Sequence, residues 1–248
     1  MERGGIELIS QADLHSGWTP LDCALYVGNE ALARMLAERL GSGGDSAASE
    51  LLEQARRRVL EPSHAPLSLF RGLPWAVKLG PHIGEFELSE FSTLRSTRSC
   101  PLGRKGYYEV EILGLDSEYP QYGFATAGFE RVRGASSDGV GDDEHSWAVD
   151  GARQLKWHNG KERYECTWKQ GDVIGLACDL DAMRVHVSVN GSFAAPNGVV
   201  FELAPEDVRD GLFAAITGSS GKLRCNLGEG AFKHAPPSAD FTAFVHFQ

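Results

Sequence analysis

The sequence has no long apolar run. No stretch approaches the roughly 20 apolar residues that a membrane helix needs. Residues 1–10 carry Glu2 and Glu7 and lack the apolar core of a secretory signal. Cysteine is scarce and scattered: Cys23, Cys100, Cys166, Cys178 and Cys225, an odd number with no CxxC pair. A disulfide framework favours even numbers at close spacings in a short secreted chain. Free buried thiols in a reducing compartment are therefore expected, cytoplasmic or, as the alternative, nuclear. Positive charge is also in deficit, with 24 Lys and Arg against 34 Asp and Glu, a net charge of -10. That argues against nucleic-acid binding, which usually presents a basic face, although a local basic patch is compatible with it. One such cluster is Arg56-Arg57-Arg58, at the C-terminal end of an expected helix, where cations are favoured.

Catalytic signatures are missing as well. The chain has no Gly-x-Ser-x-Gly elbow, no His-Glu-x-x-His and no Gly-rich loop leading to Lys-Ser/Thr. Its eight histidines are dispersed; His145, His158 and His234 fall near predicted loops. A Cys–His dyad would depend on proximity in the fold. Asp138, Asp142, Asp143 and Glu144 form an acidic loop with His145. Oxygen ligands from one loop suit calcium, but the spacing is not that of an EF-hand. A solvated loop that contacts a basic partner is the preferred reading. The expectation is a non-catalytic protein with no cofactor and no metal site. Asn190-Gly191-Ser192 matches the glycosylation triplet but reads as a turn.

What is present suffices for a real core. The chain has 248 residues, 42% hydrophobic and 23% charged, ordinary values for one large or two modest globular domains. Gly17-Trp18-Thr19-Pro20-Leu21 opens a segment in which Thr19 suits an N-cap and Pro20 the first helical position. Leu21, Ala24 and Leu25 make one apolar face at helical spacing. Gly28-Asn29 breaks that helix, a second runs to about Leu40, and Gly41 ends it. A Gly/Ser-rich linker covers 41–48, and a third helix is predicted over 47–60, ending at Glu61-Pro62. Residues 13–41 resemble one ankyrin repeat, with Asp22 standing where the usual Thr-Pro-Leu-His has His. One repeat cannot bury its face alone. Either it packs on the rest of this chain or further repeats precede Met1.

From about residue 73 the pattern changes to period two. Tyr108-Glu109-Val110-Glu111-Ile112 alternates, and so does Arg184-Val185-His186-Val187-Ser188-Val189, which ends in the hairpin signal Asn190-Gly191. Val173-Ile174-Gly175-Leu176-Ala177-Cys178 reads as a buried central strand, after a tight turn at Gly171-Asp172. Trp147, Trp157 and Trp168 are the expected large core residues. Turn signals every 10 to 15 residues point to an all-β sandwich or barrel.

The motifs come in a definite order. Gly106-Tyr107-Tyr108-Glu109-Val110 precedes Gly123-Phe124-Ala125-Thr126, then Ser146-Trp147-Ala148-Val149-Asp150-Gly151 and Trp157-His158-Asn159-Gly160. Trp168 to Gly175, the 179–193 hairpin and Leu212-Phe213-Ala214-Ala215 follow. Over residues 73–240 this series resembles the SPRY domain. The expected fold is mainly β: an antiparallel SPRY-like β-sandwich over 65–248, an α-helical ankyrin-like segment over 1–41, and a linker and helix over 42–64.

The resemblance implies a protein-interaction module, an adaptor or scaffold that reads a peptide or protein surface through loops on a rigid sandwich. A ubiquitin-ligase assembly is one implied setting, with no nucleic acid and no membrane. The alternative is a regulatory or structural domain packed within a larger protein. The expected loops are 117–122, 130–145 and 217–221. Tyr119, Tyr122, Arg131, Arg133, Asp142 and Ser219 are the candidate partner-binding residues, Tyr and Arg because they dominate interface energetics.

Overall fold

The computed structural model describes residues 19–26, 30–41, 44–60, 67–71, 77–79, 84–114, 119–131 and 138–247. The chain divides into two compact units, Met1–Ala65 and Pro66–Gln248.

In the first unit three helices pack together: α1 (Pro20–Tyr26), α2 (Glu30–Leu40) and α3 (Asp45–Leu60). Thr19 and Asp22 cap α1 reciprocally. The Thr19 amide and hydroxyl donate to Asp22 Oδ2 at 2.8 and 2.7 Å, and the Asp22 amide donates to Thr19 Oγ1 at 3.3 Å. This closes the orphaned first turn in the manner of a capping box, so Asp22 has a local structural role. Leu21, Ala24, Ala33, Leu36, Ala37, Ala48 and Ala55 form the core of the unit. The alanines let the helices approach closely. The third helix therefore belongs to the same core as the first two.

The second unit is built from short antiparallel strands. In chain order they are β1 (Leu67–Arg71), β2 (Val77–Leu79), β3 (Glu85–Leu88), β4 (Ser92–Cys100), β5 (Lys105–Gly114), β6 (Gln121–Ala125) and β7 (Ser146–Asp150). There follow β8 (Leu155–Trp157), β9 (Lys161–Arg163), β10 (Val173–Asp179), β11 (Arg184–Val189), β12 (Gly198–Glu202), β13 (Leu212–Gly218), β14 (Gly221–Asn226) and β15 (Thr242–Ala243). One sheet has the order β1-β4-β13-β6-β7-β8-β9. The other has the order β12-β11-β10-β5-β14-β3-β2, with β15 pairing in parallel to β5. We refer to them as the first and second sheets.

The inner faces follow the period-two pattern. From the second sheet come Tyr108, Val110, Ile112, Ile174, Leu176, Val185, Val187 and Leu223. From the first come Leu94, Tyr122, Phe124, Trp147, Val149, Ala214 and Ile216. The Tyr108 hydroxyl crosses between the sheets and donates to the main-chain carbonyls of Gly123, at 2.5 Å, and Ala215, at 3.3 Å. Burial in the core pushes its ionisation well above the usual tyrosine range. Gly123 is glycine because β7 runs close beside it; a Cβ there would collide with the Trp147 carbonyl. Asn190 and Gly191 both take positive φ, 51° and 78°, between the bridged residues Val189 and Ser192. That is the turn the Asn-Gly pair predicts.

Of the three tryptophans expected in the core, Trp147 is 2% exposed. Trp157 and Trp168 are half-buried. Trp168 lies at the core margin, stacked on Tyr122 with ring centres 5.5 Å apart. Trp157 packs on the outer face of the first sheet. Cys100, Cys166, Cys178 and Cys225 are free and buried.

The outer face of the second sheet is covered by the chain's own C-terminal segment. Glu109, 2% exposed, accepts the amides of Lys233 at 2.8 Å and His234 at 2.7 Å, and the Tyr107 hydroxyl at 3.2 Å. Arg224 bridges Glu85 and Glu111, and Glu111 also pairs with Lys233. Phe232 packs edge-on against Tyr107 at 4.8 Å. Lys105 ties Asp179, at 3.1 Å, to Asp240, at 2.9 Å. A buried carboxylate is tolerated only when its acceptor capacity is filled, and the strap fills it.

Two outcomes follow. Tyr108→Phe leaves the Gly123 and Ala215 carbonyls without the hydroxyl and costs about 1–2 kcal/mol, read as a lower urea midpoint with an unchanged slope. Glu109→Ala removes the acceptor for the Lys233 and His234 amides. Their hydrogen exchange accelerates, while that of the β10 amides changes far less; equal acceleration at both places would contradict the strap's local anchorage.

Candidate partner-binding site

The outer face of the first sheet is lined with small residues. Ala125, Ala148 and Ala215 meet Phe129 and Val140 from the connection between β6 and β7, which includes the short helix α4 (Gly128–Arg131). The connection is pinned by polar contacts. The Val140 amide donates to Thr217 Oγ1 at 2.9 Å, and that hydroxyl lies 2.8 Å from Thr93 Oγ1. Asp142 accepts Gln121 Nε2 at 2.8 Å and the Gly139 amide at 2.7 Å. Asp143 Oδ1 accepts the Ser146 hydroxyl at 2.6 Å, and Ser146 Oγ accepts the Gly141 amide at 2.7 Å. Asp142 and Asp143 of the acidic loop are thus used as acceptors within it. Burial pushes the Asp142 carboxyl above its ordinary value, against the bonds from Gly139 and Gln121.

Strand register brings four segments to one end of this sheet. Ser92 pairs with Gly218, Gln121 with Thr217, and Tyr122 with Val149. Continuing those registers by a few residues sets Phe91, Ser219, Tyr119 and Ala152 side by side across the end. Phe91 and Tyr119 make an edge-to-face pair at 6.0 Å. A Cβ at Gly139 would press on Gln121, Thr217 and Phe91, which puts the acidic loop at the same end.

Arg153 stands at the centre of the cluster. It follows β7 in a turn closed by Asp150, whose fully buried carboxylate accepts the amides of Ala152 and Arg153, each at 2.9 Å, and Arg153 Nε. The guanidinium carbon lies 5.0 Å from the Tyr119 ring centre and 4.5 Å from that of Trp157, within the range of cation–π attraction. Among the described residues, Arg153 Nη2, Trp157 Nε1 and Ser219 Oγ are buried and have no hydrogen-bond partner. Each buried polar atom left in that state costs about 1–3 kcal/mol. Arg153 and Trp157 lie side by side, and Ser219 sits in the turn between β13 and β14.

Tyr119 sits in this cluster and is 41% exposed. Asp142 is half-buried in the loop beside it, and Ser219 occupies the turn between β13 and β14. Tyr122 does not belong to the surface. It is fully buried, because β6 already starts at Gln121 and alternation turns Tyr122 inward. Arg131 ends α4, and its side chain lies outside the described residues, as does the whole of Arg133. The sequence reading missed Phe91, Arg153 and Trp157. Asp150-Gly151-Ala152-Arg153 does carry a signal, an Asp that caps its own turn, but that identifies a turn and not its neighbours.

Two antiparallel sheets packed face to face, with a side-chain cluster on the connections at one end, define a β-sandwich whose candidate site lies on its loops. The SPRY domain family profile matches residues 105–230, half of the chain, and the chain belongs to that family. SPRY domains are typically protein-interaction modules. Among curated proteins, the E3 ubiquitin-protein ligase RKP of Arabidopsis thaliana is 34% identical over 155 residues, covering 62% of this chain and 11% of that protein. This chain therefore spans about a tenth of that relative's length. Among solved structures, the SPRY domain of human HERC1 matches with 14% identity and a TM-score of 0.47, over 64% of this chain and 96% of that one.

Burial pushes the Asp150 carboxyl above the usual 3.8, and the bonds and charge of Arg153 hold it back. Between 3.8 and the raised value the folded state binds more protons than the unfolded state. The group's contribution to stability therefore falls as pH rises through that window. In a carboxyl-carbon NMR titration Asp150 titrates above 3.8, and Arg153→Met moves the midpoint higher still. A wild-type midpoint below 3.8, or one unmoved in the variant, contradicts the arrangement.

Proposed function

We propose that this chain is a non-catalytic protein-recognition module, an adaptor that reads a peptide or protein surface at the Tyr119 end of the first sheet. The carrying observation is the joining of Phe91, Tyr119, Arg153 and Trp157 there, with buried donors that lack partners among the described residues. Tyr, Trp and Arg are the residue types that dominate interface energetics, and loops held by a rigid sandwich are a usual place for recognition. Asp142 and Ser219 form the polar rim of this site in our reading, with Arg131 and Arg133 further along the same connection.

The helical unit is read as ankyrin-like, a second interaction surface on the same chain. A reducing compartment, cytoplasmic or nuclear, is the proposed location, on the strength of the scattered cysteines. The name of the RKP relative makes a ubiquitin-ligase assembly the proposed setting. The small share of that relative which matches here also favours a second reading, a regulatory domain packed inside a larger protein.

The test is affinity capture from lysate with the full chain, comparing wild type with Tyr119→Ala. Tyr119 is exposed and outside the core, so the variant stays folded, losing about 1–2 kcal/mol with its contacts to Phe91 and Arg153, and its fold is checked by its unfolding transition. A partner retained by wild type and lost by the variant supports the site. A partner held equally by both places recognition elsewhere.

A further inference from the structure

Resting on that reading, we infer that the Arg153–Trp157 position binds an uncharged hydrogen-bond acceptor, a main-chain carbonyl of the partner peptide, and discriminates against carboxylate and phosphate groups.

Two observations combine. The first is the pair of donors. Arg153 Nη2 and Trp157 Nε1 are both buried without an acceptor among the described residues, and the guanidinium carbon lies 4.5 Å from the Trp157 ring centre. Neither atom can accept; arginine and the indole N–H are donors only. The group that completes them must therefore bring lone pairs.

The second observation is the charge around them. Arg153 is already ion-paired, through Nε, to the fully buried Asp150. Asp142 stands close enough for its charge to interact with Arg153 and with Asp138. Arg153 thus faces two carboxylates, Asp150 and Asp142, while the Lys161 ammonium, 5.9 Å from the Trp157 ring centre, is exposed, where solvent screens it. An arriving carboxylate or phosphate would lose its hydration, meet a cation that is already compensated, and lie against like charges. A carbonyl oxygen has the same lone pairs without that repulsion. Tyr119 and Phe91 provide the apolar wall, against which the flat faces of a peptide can lie. Tyr119 is 41% exposed and its ring centre lies 5.0 Å from the guanidinium carbon, and displacement of that ring is the way in that this proposal requires. Arg153 acts in this arrangement as a donor rather than as an anion clamp.

The test uses the full chain labelled with ¹⁵N. The five tryptophans give five indole N–H signals, and Trp157→Phe identifies the one that matters. Wild type is titrated separately with N-acetylglycine N-methylamide, with acetate and with inorganic phosphate, to high millimolar concentration, as ligands of this size require. The diamide is expected to move the Trp157 indole proton downfield and saturably, and the two anions are expected to leave it in place. Arg153→Lys, which keeps the charge but loses the fork of donors, weakens the diamide about tenfold, the value of roughly one hydrogen bond to a charged donor. A saturable shift with acetate or phosphate overturns the inference, and so does the absence of a saturable shift with the diamide. These results are separable from failure of the site itself. Partner capture that still depends on Tyr119 would keep the site and reject only its chemistry.

Discussion

The sandwich depends on β5 being packed on both faces. Its inward residues, Tyr108, Val110 and Ile112, build the core, and Tyr108 reaches through it to the backbone of the opposite sheet. Its outward residues, Tyr107, Glu109 and Glu111, hold the C-terminal strap. Phe244, from the end of that strap, enters the core beside Tyr108 and Phe124 at 5.7 and 6.1 Å. The strap therefore closes the hydrophobic core as well as shielding the charges behind it. The second sheet's outer face is covered by this tail, and the proposed recognition site lies at the loop end of the first sheet.

Much of this was legible in the sequence. Strict alternation fixed the inward set of β5 and β11, the apolar run identified β10 as a buried interior strand, and Asn190-Gly191 marked the turn after β11. Those signals are local, because side-chain direction in a strand alternates with period two. What was not legible is what lies far apart in the chain. Glu109 and Glu111 look like solvent-facing partners of an amphipathic strand. They are covered by residues more than 120 positions later, and no periodicity announces that. Tyr122 was misplaced for a related reason. The loop expected over 117–122 ends where β6 starts, at Gln121, so Tyr122 lies in the strand and points inward while Tyr119 stays at the surface.

The placement of the candidate residues was legible in the same partial way. Loops bearing Tyr119, Asp142 and Ser219 converge because strand registers bring their ends together. Arg153 was not visible as a member, since its placement depends on a buried Asp150 at the end of β7 and on Trp157 of the neighbouring strand β8. The chemistry of the cluster, a compensated cation between aromatic rings, exists only once four segments have been assembled.

The central claim is the location of recognition, and photo-crosslinking tests it most directly. A benzophenone side chain is placed at position 119 in the full chain and, as a control, at position 199, where Val199 is 45% exposed on β12 of the other sheet. The account predicts a partner crosslinked from position 119 and none from position 199. Crosslinks from position 199 alone would contradict it and move recognition to the second sheet.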